Sequence, residues 1–375
     1  MIKTIYLDNG ATSFPKPPPV YKAVEDYMRS IGGGAGRSAH KKAREAMEIA
    51  TLCRVEIAEL INADNPEEII FTKNATEGLN IIIKGCVKDG DKVTVSPYEH
   101  NSVMRPLYAM GANINVLPLD EEGKANISAL SEIDADTGLV IINHISNVSG
   151  AVSDIYLASD ICEKKKIPLL IDCSQSIGHF DIDVKRLHAS LAFPGHKGLL
   201  GPQGTGAVYL CGIKPKPLCY GGTGSDSESM SQPVTLPDYY ESGTLNLYGI
   251  AGLLKGVQYV KAHREKEILR AETELTSMLR EGLMNMKNVK VTAPDLKNFG
   301  AVVSFSAKNM QPSEIAAVLD EKYDIACRSG LHCSPAAHSA YGTMPQGTVR
   351  LTPGCFNTVN DIKITLDAVN KIINR

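Results

Sequence analysis

Between residues 43 and 210, short and almost wholly apolar runs alternate with stretches whose apolar side chains recur at helical spacing. A strand that is apolar on both faces must be covered on both faces. The alternation therefore specifies an α/β fold, a mostly parallel central sheet sandwiched by helices. Ala43, Ala46, Met47, Ala50, Cys53, Ile57, Leu60 and Ile61 mark the first such helix, ended by Asn65-Pro66. Strands are expected at 68–72, 92–95, 114–117, 139–142, 168–171, 191–193 and 206–210, with helices at 79–87, 102–110 and 155–164. A long charged helical stretch then runs from Tyr248 to Met286. Beyond it the order changes: strand patterns at 289–291, 301–305 and 324–327 accompany a helix at 312–319, and a last helix spans 359–373. The expected division is an N-terminal segment, 1–15, associated with the smaller domain, a large domain, 16–255, and a smaller C-terminal α+β domain, 256–375. Gly221 to Pro237, rich in Gly, Ser and Pro, reads as a surface or active-site loop.

Composition narrows the function. The formal charge is -3, aromatic residues are 6% and Trp is absent, so the chain carries neither a basic footprint nor a stacking platform for nucleic acid. No run approaches the roughly 20 apolar residues of a membrane span. The opening Met1-Ile2-Lys3-Thr4-Ile5 lacks the apolar stretch of a secretory leader. The cysteines number 9 among 375 residues, an odd count that does not suit a disulfide framework. The expectation is a reduced, cytoplasmic protein with at least one working thiol and no nucleic-acid or membrane partner. Cys327, His332, Cys333 and His338 fit no common zinc spacing, so no metal is expected.

The chemistry concentrates in two places. Leu169-Leu170-Ile171-Asp172 is a strand ending in an acid, and Phe193-Pro194-Gly195-His196-Lys197-Gly198 closes another. Alone, Asp172 reads as a turn residue and Lys197 as a solvated one. At two adjacent strand ends, where α/β proteins bind ligands, they suit pyridoxal phosphate: the acid pairs with the protonated ring nitrogen and the amine forms the Schiff base. Cys327-Arg328-Ser329-Gly330-Leu331-His332-Cys333-Ser334-Pro335 is the second place. It sets Cys333 in a loop beside His332 and near Arg328, and cationic neighbours generally favour a thiolate. Cys53, Cys86, Cys162 and Cys211 read as small core residues, and Cys327 as either core or a second thiol.

Together with Asp8-Asn9-Gly10-Ala11-Thr12 and Thr72-Lys73-Asn74-Ala75-Thr76-Glu77-Gly78, these motifs resemble the class V aminotransferase family, a fold-type I group of enzymes that use pyridoxal 5'-phosphate. The resemblance implies that Lys197 carries the cofactor, Asp172 pairs with its ring nitrogen, Gln175 hydrogen-bonds the ring oxygen and His100 stacks on the ring. It further implies that Thr76 and His196 bind the phosphate, and that Thr244 reaches the phosphate of a partner subunit, which requires a homodimer. Pro194 stands where the family has Ser or Thr. The cysteine loop resembles that of group II, SufS-like cysteine desulfurases and selenocysteine lyases, with Leu331 in place of a histidine. By that resemblance Arg350, Asn147 and Arg328 bind the substrate, and Cys333 takes its sulfur as a persulfide. The implied reaction converts L-cysteine to L-alanine, with a sulfur-acceptor protein or small thiol discharging Cys333. Selenocysteine lyase, or a class V transaminase or other lyase in which Cys333 is incidental, are the alternatives. The Gly32-Gly33-Gly34-Ala35-Gly36-Arg37 loop is either a border of the site or a tight turn.

Overall fold

A computed structural model describes residues 4–35, 40–226 and 228–374. Its first part contains β1 (Ile5–Tyr6), α1 (Pro18–Asp26), α2 (Lys41–Leu60), β2 (Ile69–Thr72), α3 (Ala75–Cys86), β3 (Lys92–Val95), α4 (Asn101–Ala109) and β4 (Asn113–Val116). There follow β5 (Leu139–Asn143), α5 (Ile155–Lys165), β6 (Leu169–Asp172), β7 (Ser190–Pro194), β8 (Gly206–Tyr209) and α6 (Leu247–His263). The remainder is α7 (Leu269–Met284), β9 (Val289–Val291), β10 (Val303–Ala307), α8 (Pro312–Tyr323), β11 (Ile325–Ala326), β12 (Arg328–Gly330), α9 (Pro335–Ala340), β13 (Thr348–Leu351) and α10 (Val359–Ile373).

Seven strands form the central sheet in the order β2-β8-β7-β6-β5-β3-β4. Only β8 runs against its neighbours; the other pairings are parallel. Alternate residues serve opposite layers, as strand geometry dictates. Val140, Ile142, Ile171 and Phe193 pack under α2, α5 and α6, whereas Leu139, Ile141, Leu170 and Ala192 pack under α3 and α4. This is why the strands read as continuous apolar runs. Gly78 lets α3 lie close on the sheet, because a Cβ there would meet Val208 Cγ2 at 2.5 Å. That close approach directs the N-terminus of α3 toward the ends of β6 and β7.

A second core gathers Leu275, Leu279 and Leu283 of α7, Val303 and Phe305 of β10, Ile315 and Leu319 of α8 and Ile362 and Val369 of α10, together with Ile5 and Leu7. Its sheet runs β12-β13-β10-β9, all antiparallel. β1 pairs in parallel with β11, which carries the N-terminal segment onto this unit.

Several elements differ from expectation. The stretch from Tyr248 to Met286 is two helices joined by a wider turn at Arg264–Ile268, with α6 in the first core and α7 in the second. One apolar stripe cannot face two cores. The strand expected at 324–327 stops at Ala326, because Arg328 onward pairs with β13 instead. α1 is hidden in the sequence behind Pro17, Pro18 and Pro19, residues tolerated in a first helical turn but rarely diagnostic of one. Among the described residues, no helix is long and apolar enough to cross a membrane.

One buried ion pair ties the sheet edge to the segment leading into α6. Arg54 of α2 pairs with Glu241, whose other carboxylate oxygen accepts from Phe71 N at 2.5 Å. Removing one member strands the other charge. Arg54→Met is expected to lower the unfolding free energy by roughly 3 kcal/mol, and Arg54→Met with Glu241→Met to recover much of it, in urea titrations.

Candidate active site

The C-terminal ends of β3, β5, β6 and β7 converge on a cavity of about 210 Å³. β4 and β5 leave β3 on opposite sides, so the cavity sits at a topological switch point. Pairing of Asn143 with Asp172, and of Asp172 with Ala192, sets these strand ends level. The second unit closes the cavity with Arg328, His332 and Arg350.

At one end stands the N-terminus of α3, capped by Asn74 Oδ1, which accepts from Glu77 N at 2.9 Å. Thr76 Oγ1 lies 2.7 Å from Ser102 Oγ, and that hydroxyl lies 2.8 Å from His100 Nδ1. His100 Nδ1 also accepts from Ser102 N at 3.1 Å, so the ring caps α4 as a neutral imidazole. Burial, then the charges of Lys197, Arg328 and Arg350, push its pKa down to about 4. His196 lines the same cavity, and its Nδ1 is shut off from solvent without a hydrogen-bond partner among the described residues. Burial holds this imidazole neutral as well, with a pKa of about 4.

Asp172 is buried at the end of β6, and its Oδ1 accepts from Ser174 N at 2.9 Å. Burial raises its pKa, and the Lys197 charge opposes that rise. The Lys197 amine makes no hydrogen bond or ion pair among the described residues. Desolvation and then Arg350 lower its pKa to about 8, against the pull of Asp172. The backbone beneath it is clamped by the N-terminal segment: Ser13 Oγ contacts the carbonyls of His196 and Lys197 at 3.1 and 3.0 Å, and Lys16 Nζ donates to His196 O at 2.8 Å. Gln175 is held by its own amide, which donates to Gly10 O at 2.9 Å.

Arg350 is 1% exposed. Its Nη2 donates to Asp8 Oδ1 at 2.7 Å and its Nη1 to Asn147 O at 3.2 Å. Arg328 faces it across the β12–β13 pair and donates from Nη2 to Cys333 Sγ at 3.3 Å. Cys333 is exposed and does not itself line the cavity; it adjoins it through two lining residues, His332 before it in the chain and Arg328 on its sulfur. The sequence suggested a cation in His332, and the structure corrects this. His332 is 2% exposed, bonded through Nε2 to Thr348 Oγ1 at 3.0 Å, and burial pushes its pKa down to about 2. The cation touching the sulfur is Arg328. Cys327 is not a second exposed thiol: burial pushes it up to about 12.

Thr76, His100, Asn147, Asp172, Gln175, His196, Lys197, Arg328 and Arg350 thus line one cavity. Thr244 does not; it borders a separate surface cleft with Thr72, Lys73 and Gly204. Gly36 and Arg37 lie outside the described residues, and Gly32 to Ala35 do not line the cavity.

Against known proteins, residues 5–364 match the family model described as aminotransferase class-V. The chain belongs to that family. It is 31% identical to a probable cysteine desulfurase of Pyrococcus abyssi, covering 99% of this chain and 94% of the relative. It is 33% identical to one from Methanothermobacter thermautotrophicus, covering 98% and 94%. A solved apo structure of a cysteine desulfurase from Thermococcus onnurineus superposes with a TM-score of 0.92 at 31% identity, covering 99% of this chain and 95% of that one.

Class-V enzymes depend on pyridoxal phosphate, and the residues of this class-V chain fit that group. A flat aromatic cation answers the buried Asp172 carboxylate, which has no ion-pair partner among the described residues. A phosphate answers the orphaned His196 Nδ1 and the free backbone N–H groups at the α3 N-terminus. Pro194 supplies no hydroxyl, but Thr76, Ser102 and Ser174 line the same cavity.

Sequence reasoning missed Asp8 as the counter-charge of Arg350, Ser102 as the link between Thr76 and His100, and Glu99. Glu99 is fully buried, accepts from Ser96 Oγ at 2.6 Å and Asn143 N at 2.8 Å, and is raised by burial to about 8. Ser102 and Glu99 flank the quoted His100-Asn101, so proximity in the chain was the available signal.

The Lys197 environment gives a pH prediction. In cofactor-free protein, acetylation of Lys197 by acetic anhydride, mapped by mass spectrometry, rises with pH to a midpoint near 8, the value set by its surroundings. Asp172→Asn moves that midpoint downward, because the lost carboxylate no longer favours the ammonium; an unmoved midpoint would contradict this electrostatic account.

Proposed function

We propose that this chain is a pyridoxal-phosphate-dependent cysteine desulfurase of the group II, SufS-like kind, converting L-cysteine to L-alanine and leaving the sulfur on Cys333. The observation that carries the reading is an exposed thiol, Cys333, held 3.3 Å from Arg328, which lines one cavity with Lys197 and Asp172. The relatives named as cysteine desulfurases support it.

Lys197, Asp172, Gln175, His100, Thr76 and His196 would hold the cofactor, with Thr244 completing the phosphate site of a partner subunit in a homodimer. When bound, pyridoxal phosphate supplies an electron sink for the pair released at the substrate α-carbon. Asp172 stabilises the positive ring nitrogen. His100, neutral at physiological pH, offers a flat face without adding a competing cation. Arg350 anchors the substrate carboxylate, with Arg328 and Asn147 beside it, since a guanidinium fork matches a carboxylate. A lysine whose pKa is about 8 is partly unprotonated near neutrality, so Lys197 can take the α-proton and return a proton later. Cys333 sulfur then attacks the substrate sulfur: an S–S bond forms, the Cβ–S bond breaks and its electron pair ends as a C–H bond of alanine. The balance is one thiol and one L-cysteine giving one persulfide and one L-alanine. The carbon is reduced and the sulfur oxidised, so no outside oxidant is required. A sulfur-acceptor protein or small thiol then discharges the exposed persulfide. The nine free cysteines suit a reducing compartment such as the cytoplasm.

Cys333→Ser is expected to keep the visible absorbance of the bound cofactor and to lose both alanine release and the persulfide mass on the Cys333 peptide. Alanine formed at the parent rate by Cys333→Ser would falsify the persulfide route. A keto acid product with an amino-acceptor requirement would point to transamination instead.

A further inference from the structure

The cysteine loop has an unusual backbone. His332 and Cys333 are consecutive non-glycine residues with φ of 50° and 57°. Left-handed conformations are sterically costly for L-residues and persist where the surroundings over-determine them. Here the surroundings centre on one side chain. Asn147 Nδ2 donates to His332 O at 2.8 Å, and Asn147 Oδ1 accepts from Ser334 Oγ at 2.8 Å. Asn147 therefore grips the residues on both sides of Cys333. The carbonyl of Cys333 itself accepts from Asn101 N, the first amide of α4, at 2.8 Å, and Ser334 N closes the turn onto Leu331 O at 2.8 Å. Asn147 O also takes the Arg350 Nη1 hydrogen bond at 3.2 Å.

We infer that Asn147 is a positioning residue for the sulfur-accepting thiol: it holds the His332–Ser334 loop in its left-handed turn and couples that loop to Arg350. This rests on the desulfurase reading for its consequence in catalysis, but the clamp is a property of the protein without substrate. Both ends of the Asn147 amide are engaged within the protein, at 6% exposure. The arrangement fixes the reach between a substrate anchored on Arg350 and the sulfur of Cys333, because one side chain touches the anchor through its backbone and the loop through its amide.

The test uses the holoenzyme and the variants Asn147→Ala, Ser334→Ala and Ser334→Thr. Amide hydrogen exchange is followed without substrate in the peptides containing Asn101 and Leu331 to Ser334, with β5 and β6 peptides as controls. Steady-state kinetics with L-cysteine follow separately. Expected in Asn147→Ala is exchange faster by about fivefold or more at Asn101 and Ser334, the effect of losing one hydrogen bond of ordinary net strength. Control peptides stay unchanged, and kcat falls more than KM rises. Ser334→Ala gives a weaker effect of the same kind, and Ser334→Thr, which keeps the hydroxyl, restores it. The inference is overturned if loop exchange is unchanged in both Asn147→Ala and Ser334→Ala while KM alone rises. It is equally overturned if exchange accelerates in the controls as much as in the loop. A parent enzyme that makes no alanine would defeat the desulfurase reading, while the exchange experiment would still decide the clamp.

Discussion

A guanidinium with 1% exposure cannot stand alone, and the answer this fold gives to Arg350 organises its site. The residue lies on β13, in the second unit. Its partners come from elsewhere: Asp8 from the N-terminal segment and the carbonyl of Asn147 from the loop after β5. Three separate stretches of chain meet on one charge. The N-terminal segment continues from there to clamp the backbone of His196 and Lys197 through Ser13 and Lys16. Satisfying one buried cation thus draws together the two cores and the lysine loop between them.

The same low-dielectric setting sorts the titrating groups. It lowers Lys197 to about 8, and drives His100 and His196 to about 4, so near neutrality the imidazoles are uncharged and the amine is divided between its two forms. It raises Asp172, yet a bound cation would reverse that rise, so this carboxylate is strained in favour of a positive ring. The residues suggest a cavity poised for a group carrying a positive ring at one end and an anion at the other. Each half of that preference is visible in an unmet demand among the described residues: an acid with no ion-pair partner and the orphaned His196 nitrogen.

Much of this was legible in the sequence because it is local. The strand at Lys92–Val95 has the bounds its pattern implies, and the acid and lysine stand at the ends of β6 and β7 as the apolar runs before them require. What was hidden is non-local. Asp8 and Arg350 are 342 positions apart, and no spacing rule joins them. His332 reads as a cation by composition and is neutral by burial and the nearby Arg350 charge, a distinction that only the folded packing makes. The break at Arg264–Ile268 exists because two cores compete for one helical run, and a single sequence does not say where one core ends. The amide of Asn147 could have faced any polar group until the fold placed His332 and Ser334 around it.

The two halves of the proposed reaction need opposite environments, and the chain separates them over a short distance. Proton transfer at carbon asks for a desolvated amine, which burial near Arg350 provides for Lys197. Handing sulfur to an outside acceptor asks for a thiol in contact with solvent, which the exposed Cys333 provides. An exposed loop would ordinarily be too mobile to meet a substrate fixed inside a cavity, and a buried one could not release its cargo. Holding the backbone of an exposed residue by hydrogen bonds to its carbonyl and to both neighbours resolves the conflict: Asn101 fixes its carbonyl and Asn147 its neighbours, while the sulfur itself contacts Arg328. The left-handed turn is then the means by which a side chain at the surface keeps a fixed place beside Arg328.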